Sequence, residues 1–331
     1  MFEVAQYSAR ETRDERSGGV APSSLQSRFE GNPADALSRI PTSVNLHLEH
    51  RCNYRCSFCY FTEIGHQVSV PPGTHATLAL DDLLRLQQLL AEAGVERITY
   101  AGGEPTLVPY LEDLALQWHE LHGSDRPRAM LVTNGTALLE SRLIRMRRAL
   151  AAVKLSAEST NDAIEARLGR GFGNHVAMVA SRSDTLHRLG IRVDLNSVIT
   201  RANCREDLTP LVRRVRPRYW KAFQMLPVPG QNDQSVADLY ITEGEFTDFL
   251  ARHSHLWDLL VPENNETMRE SYAMIDPMGR FFQNTPVGYV RSSRSILEVG
   301  VEQALADVPL NWAKYDARGG DYRACVARRV A

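Results

Sequence analysis

No run of apolar residues in this 331-residue chain is long enough for a signal-peptide core or a membrane span, so the sequence gives no reason to place it in a bilayer. Nor is there a surplus of charge. A formal net charge of −2 argues against bulk binding to nucleic acid or an anionic membrane, and any anionic ligand must then meet a local basic pocket. Cysteine is scarce: the five present, three of them in one loop, do not make a disulfide framework and suit a reducing cytoplasm. There is no internal repeat and no low-complexity tract. The first forty residues, with Gly18-Gly19, Pro22-Ser23-Ser24 and many charges, read as a flexible tail (1–40). The remainder, in a chain that is 43% apolar, is ample for a buried core in one large domain or two modest ones.

What is there begins with Cys52, Cys56 and Cys59, spaced C-x3-C-x2-C. Four-iron clusters are usually held by four thiolates, so a loop offering three leaves one iron open to chemistry. The alternative is a structural zinc site completed by a distant Cys or His, for which Cys204, Cys325 and ten histidines are available. Four-cysteine zinc sites usually come as two separated C-x2-C pairs, and no second pair exists here.

Six β-like segments alternate with helical stretches: 43–47, 97–100, 129–133, 153–156, 192–198 and 220–226. Leu83, Leu86 and Leu90 recur at helical spacing before Gly94, and amphipathic stretches cover 110–122, 138–150, 174–189 and 208–214. Such alternation implies parallel strands with crossover helices, curled into a barrel or laid out as an open sheet, with ligands at the carboxyl ends of the strands. The cysteine loop follows the first strand, Gly102-Gly103-Glu104-Pro105 the second, Thr133-Asn134-Gly135 the third, and Ser156 ends the fourth. Taken singly, a double glycine after a strand is a turn.

Together, the cysteine loop, the aromatics Phe58 and Tyr60 and the Gly-Gly-Glu-Pro segment resemble the radical S-adenosylmethionine (SAM) superfamily. The resemblance implies a partial (β/α)6 TIM-like barrel (41–245) with a C-terminal extension (246–331) completing the ligand pocket. It implies a [4Fe-4S] cluster on Cys52, Cys56 and Cys59, and SAM on its open iron, cleaved by one electron to a 5′-deoxyadenosyl radical. Gly102 and Gly103 would let backbone approach the methionyl amine, with Glu104 orienting that loop. By position Thr133, Asn134, Ser156, Asn196 and Gln224 are further SAM contacts, and Arg170 matches the SAM carboxylate in geometry.

From Pro41 to Tyr322 the chain also resembles the viperin family, through Ser43-Val44-Asn45, Gly169-Arg170-Gly171, Asn196-Ser197-Val198-Ile199, Trp220-Lys221, Leu260-Val261-Pro262-Glu263, Ser271-Tyr272 and Arg318-Gly319-Gly320. That likeness implies dehydration of a ribonucleoside triphosphate, CTP first with UTP and GTP as alternatives, to a 3′-deoxy-3′,4′-didehydro nucleotide that terminates viral RNA chains. It makes Tyr272 the residue assisting the radical step, or else a core tyrosine with a satisfied hydroxyl. Asn45, Arg97, Lys221 and Arg318 become substrate contacts, although solvated surface positions are the usual fate of Arg and Lys.

Two departures bear on the triphosphate. Asp194 stands where animal viperins carry a phosphate-binding lysine, and Tyr219 where they carry an arginine. Lys154, on the preceding strand with inward parity, offers the compensating cation or a partner for Asp194, and Arg218 offers itself beside Tyr219. No amphipathic helix precedes Pro41, so the expectation is a soluble, cytoplasmic, prokaryotic-type protein with a flavodoxin- or ferredoxin-like electron donor and no nucleic-acid or membrane partner. The tail 318–331, with Arg323, Arg328 and Arg329, is expected to close over the triphosphate. The rivals are a radical SAM enzyme acting on another small molecule or a peptide, and a zinc-stabilised adaptor.

Overall fold

The fold was obtained as a computed structural model, which describes residues 39–61, 77–123 and 126–318. The expected tail 1–40 lies outside these residues up to Ser38, and the expected lid beyond Arg318 lies outside them altogether.

Six parallel strands lie side by side in chain order: β1 (Ser43–His47), β2 (Arg97–Ala101), β3 (Ala129–Thr133), β4 (Leu150–Ser156), β5 (Val193–Ile199) and β6 (Trp220–Gln224). Their crossovers carry α1 (Leu80–Glu92), α2 (Leu111–Leu121), α3 (Glu140–Met146), α4 (Asp162–Arg167), α5 (His175–Arg188) and α6 (Thr209–Val215). After α7 (Asp233–Leu239) and α8 (Glu243–Arg252), β7 (Leu260–Glu263) adds in parallel to β6. The chain then returns through α9 (Asn265–Met268) to the other edge. There β8 (Met274–Ile275) pairs in parallel with β1, and β9 (Phe281–Thr285) and β10 (Gly288–Arg291) continue antiparallel. Three short helices, α10 (Ile296–Val299), α11 (Val301–Ala306) and α12 (Trp312–Ala317), end the described chain. The sheet has β10 and β7 as its edges, so the barrel is partial and open.

Period-two alternation makes this sheet two-faced. Val44, Leu46, Ile98, Tyr100, Leu131, Val153, Leu155, Val193, Leu195, Trp220 and Ala222 face the helices and join the main core. In α1 the buried positions Leu83, Leu86, Gln87 and Leu90 form the matching stripe, and Gly94 at φ +96° ends the segment. Each fully buried leucine there contributes about 1.5–3 kcal/mol.

Two expectations needed correction. The helical stretch read over 138–150 is α3 alone, because Ala149 N–H turns back to the Met146 carbonyl and Leu150 already pairs with Ala129 as the first residue of β4. The strands β7 to β10 were not anticipated, since runs of two to five residues are too short to carry a readable alternation, and β8 and β9 are buried on both faces.

Candidate functional site

The inward face of the strands opens into a cavity of about 1430 Å3, counting its mouth. It is lined by Asn45, Cys52, Cys56, Phe58, Cys59, Tyr60, Gly102, Gly103, Glu104, Thr133, Asn134, Lys154, Ser156, Arg170, Asn196, Lys221, Gln224 and Tyr272 among the residues singled out from the sequence. Sequence reading missed Thr99, Glu158, Phe223, Met268, Met274 and Asn284, which also line it.

On one wall the cysteine loop is clamped by two others. Gly103 N–H donates to Glu49 O (2.6 Å) and Glu104 N–H to Arg51 O (2.9 Å), while Arg55 N–H donates to Gly169 O (3.0 Å) and Ser57 N–H to Leu168 O (3.0 Å). A Cβ on Gly103 would lie 2.1 Å from the Arg51 carbonyl oxygen, and one on Gly169 2.0 Å from that of Arg55. These glycines therefore let the neighbouring loops touch the cysteine loop, a role the motif alone did not disclose.

The buried Glu104 gathers the same wall. Its carboxylate accepts from Thr106 N–H (3.0 Å), Thr133 Oγ1 (2.6 Å) and Asn134 N–H (2.7 Å). Burial raises its pKa, and these donors work against that rise. Asn134 Nδ2 in turn donates to Asn53 Oδ1 (2.9 Å) inside the cysteine loop. Below the loop, Arg170 pairs with the buried Glu158, and its Cζ lies 5.5 Å from the Phe58 ring centroid. Glu165 accepts from the N–H groups of Glu158 (2.7 Å) and Ser159 (2.8 Å); burial and the Glu158 charge push it up to about 9. The Arg170 guanidinium faces the cavity already joined to a carboxylate.

His47 completes the loop's far end. Its Nδ1–H donates to Ile275 O (3.2 Å), so Nε2 accepts from Tyr60 O–H (3.0 Å), and burial lowers it to about 3. Tyr289 O–H donates to the Tyr60 carbonyl, which ties the β9–β10 hairpin to the residue after Cys59.

The three thiols share one cavity with the Arg170 charge. Burial pushes Cys59 up to about 11 and Cys56 further, and Arg170 pulls both back. Among the described residues no group of three or more His, Cys, Asp and Glu converges to hold one metal ion. Three thiols from one loop lining one cavity are the donor set of a multi-iron cluster, whose separate irons each take one thiolate. A bound metal would drive the thiols to thiolates against the effect of burial.

The opposite wall is ionic. Lys221, buried on β6, pairs with Glu263 at the end of β7; Tyr272 O–H donates to the other Glu263 oxygen, and Lys221 Nζ stands 3.4 Å from Tyr272 Oη. Arg318 stacks behind, its Cζ 3.3 Å from the Tyr272 ring centroid and its Nη2 2.9 Å from Ser271 O. Burial alone would raise Glu263, but Lys221 and Arg318 outweigh it and hold the carboxyl below its ordinary range. Glu263 was quoted only as part of a motif, because its partners are 9 to 55 residues away in sequence.

Depth separates the other substrate candidates. Arg97, Asp194 and Arg318 are not among the lining residues: Arg97 sits opposite Ser43, one inward position below the Asn45–Thr99 pair, and Asp194 lies below Asn196. Lys154 does line the cavity, and its register partner is Asp194. Burial raises Asp194, with Lys154, Arg192, the Tyr219 N–H and Lys221 opposing. Arg218 does not stand in for the missing arginine, since it is exposed before the start of β6, 5.5 Å from the Tyr219 ring. Gln224 has both ends of its amide bonded, to Ile241 O (3.0 Å) and from Asn265 N–H (3.1 Å). No described helix is long and apolar enough to cross a membrane.

The profile of the radical SAM superfamily matches residues 48–241. The chain is 36% identical over 289 residues to the S-adenosylmethionine-dependent nucleotide dehydratase of Flammeovirga pacifica, covering 86% of this chain and 97% of that protein. To the S-adenosylmethionine-dependent nucleotide dehydratase RSAD2 of Oncorhynchus mykiss it is 31% identical over 313 residues, covering 92% and 86%. The crystal structure of Streptococcus suis SuiB bound to S-adenosylmethionine shares the fold, with a TM-score of 0.58 at 13% identity over 83% of this chain and 68% of that one.

Proposed function

This chain belongs to the radical SAM superfamily and, within it, to the viperin family of SAM-dependent nucleotide dehydratases, and from that membership we propose that it dehydrates a ribonucleoside triphosphate, CTP in first place, to the 3′-deoxy-3′,4′-didehydro nucleotide. Lacking a 3′-hydroxyl, the product would stop a viral polymerase. The observation carrying this reading is one cavity with two unlike walls. It has cysteines on one side and the buried Lys154 and Lys221 on the other.

Cys52, Cys56 and Cys59 would hold a [4Fe-4S] cluster, which together with SAM supplies the radical that abstracts hydrogen from C4′ of the ribose. The residues do the rest. The loop clamped by Gly103 and Gly169 fixes where that radical arises, and Glu104 holds the strand ends beside it. Lys221 and Lys154 supply the cations a triphosphate needs in a chain with no global basic surplus. Asp194 lies below the lining residues with Lys154 opposite it in register, which sets its carboxylate beside that cation rather than against the phosphates. Tyr272, held through its hydroxyl by Glu263, is oriented into the cavity, where it can give the proton with which the 3′-hydroxyl leaves as water, while one further electron from the external donor completes the C3′–C4′ double bond. The electron donor, a flavodoxin or ferredoxin by chemistry, and a cytoplasmic location belong to the same proposal.

The test is to incubate reduced, reconstituted enzyme with SAM and each ribonucleoside triphosphate. A product lighter by one water is expected, with CTP fastest. Vigorous SAM cleavage with every triphosphate left intact would remove the dehydratase reading and leave only the superfamily.

A further inference from the structure

The cavity is polarised in a third direction. Its lysines stand on β4 and β6 and its thiols, with the Glu158-paired Arg170, above β1, whereas the side toward β8 and β9 is lined by Met268, Tyr272, Met274 and Leu226, with Asn284 as the polar group among them. Phe282 and Asn284 share the inward parity of β9; Phe282 packs with Phe61 and Met274, and Asn284 faces the cavity with 6% of its surface exposed. The segment running beside it carries Tyr272. Glu270 N–H donates to Asn284 O (3.2 Å), Gln283 Nε2 donates to Tyr272 O (2.6 Å), and Met274 pairs with Phe282.

Asn284 Oδ1 is buried and accepts no hydrogen bond from the protein. A buried carbonyl oxygen without a donor costs about 1–3 kcal/mol, so its place in an apolar slot of a ligand cavity calls for a ligand N–H. We propose that this slot is the nucleobase subsite and that Asn284 reads the Watson–Crick edge of the base: Oδ1 accepts from an exocyclic amino group while Nδ2 donates to the adjacent ring nitrogen. A 4-aminopyrimidine offers that pair of groups to a carboxamide, whereas uracil offers a carbonyl in place of the amino group. The inference rests on the nucleotide reading above and adds to it the residue that selects the base. With the base against Asn284 and the phosphates toward Lys154 and Lys221, the ribose falls beside Tyr272, which lies between them by contact with both neighbourhoods.

The experiment compares kcat/KM for CTP and UTP in the wild type, Asn284→Leu and Asn284→Asp, using reconstituted, dithionite-reduced enzyme, with SAM affinity measured by calorimetry. The leucine variant is expected to lose at least about tenfold of the CTP-over-UTP preference, the scale of one unpaired base contact. The aspartate variant keeps the acceptor for the amino group and retains the preference, at lower CTP turnover. SAM affinity stays within about twofold in both, since a base contact leaves the cysteine wall intact. Asn284→Ala replaces the leucine variant if that one does not fold. An unchanged CTP-to-UTP ratio in the truncated variant overturns the contact, as does a loss centred on SAM affinity, which would give Asn284 to the adenine of SAM. Equal handling of CTP and UTP by the wild type also overturns it while leaving the dehydratase reading standing. A wild type that converts no triphosphate removes that earlier reading itself.

Discussion

The two walls of the cavity are built on different physics. The wall carrying Cys52, Cys56 and Cys59 is held by backbone hydrogen bonds and glycine contacts from the neighbouring β2 and β4 loops. The wall carrying Lys221, Glu263 and Tyr272 is held by a buried charge network drawn from β6, β7 and the segment before β8. The first arrangement fixes geometry and tolerates little added volume. The second fixes charge and tolerates little change of it. A site that must both generate a radical at one point and hold a highly charged substrate has reason to separate the two tasks in this way.

Gly103→Val breaks the first wall most severely, because its Cβ would need the space of the Arg51 carbonyl 2.1 Å away. Iron content, SAM cleavage and nucleotide conversion are all expected to fall together, with a stability loss of at least about 3 kcal/mol, checked by iron analysis and denaturant unfolding. A variant that kept its iron and lost only nucleotide conversion would erase the distinction between the walls.

Lys221→Met breaks the second wall by leaving Glu263 buried without its nearest cation. A stability loss of about 3–5 kcal/mol is expected, along with a rise of at least about tenfold in the apparent Kd for the triphosphate and little change in SAM affinity. Adding Glu263→Gln is expected to restore much of the stability and none of the nucleotide binding, read by calorimetry on the double variant.

At neutral pH the smallest expected effect lies at His47, which holds Tyr60 beside the cysteine loop. Its folded pKa of about 3 is below the ordinary 6.5, so between those values the unfolded chain binds the extra proton. The stability it contributes is complete above pH 6.5 and is lost as pH falls toward 3, at up to about 1.4 kcal/mol per pH unit. His47→Gln is expected to flatten that part of the acid limb in a denaturation series. His175, also lowered to about 3 by burial and Arg170, titrates in the same window and leaves part of the slope in place.

Sequence reading reached one wall far better than the other. Cysteine spacing, the double glycine and the six strands are local patterns, and each falls in the element where the structure has it. Strand parity pointed Lys154 inward, and the resemblance singled out Asn45, Asn196 and Lys221; all four line the cavity. Parity carries no depth, and so it also selected Arg97 and Asp194, which lie toward the amino ends of their strands. The roles of Glu263, Asn284 and His47 escaped notice because their surroundings are brought together by the return of the chain to β1. A two-residue strand such as β8 gives no warning of that return. The glycines were found for the right segment, but their packing against Glu49–Arg51 becomes visible only with the neighbouring loop in place.

The claim on which the rest depends is that nucleotide and SAM occupy this cavity together, with the ribose in reach of the radical. Reconstituted enzyme given SAM, dithionite and CTP deuterated at C4′ tests it directly. The account predicts deuterium in the 5′-deoxyadenosine formed and a nucleotide product lighter by one water. Unlabelled 5′-deoxyadenosine beside intact CTP would contradict it.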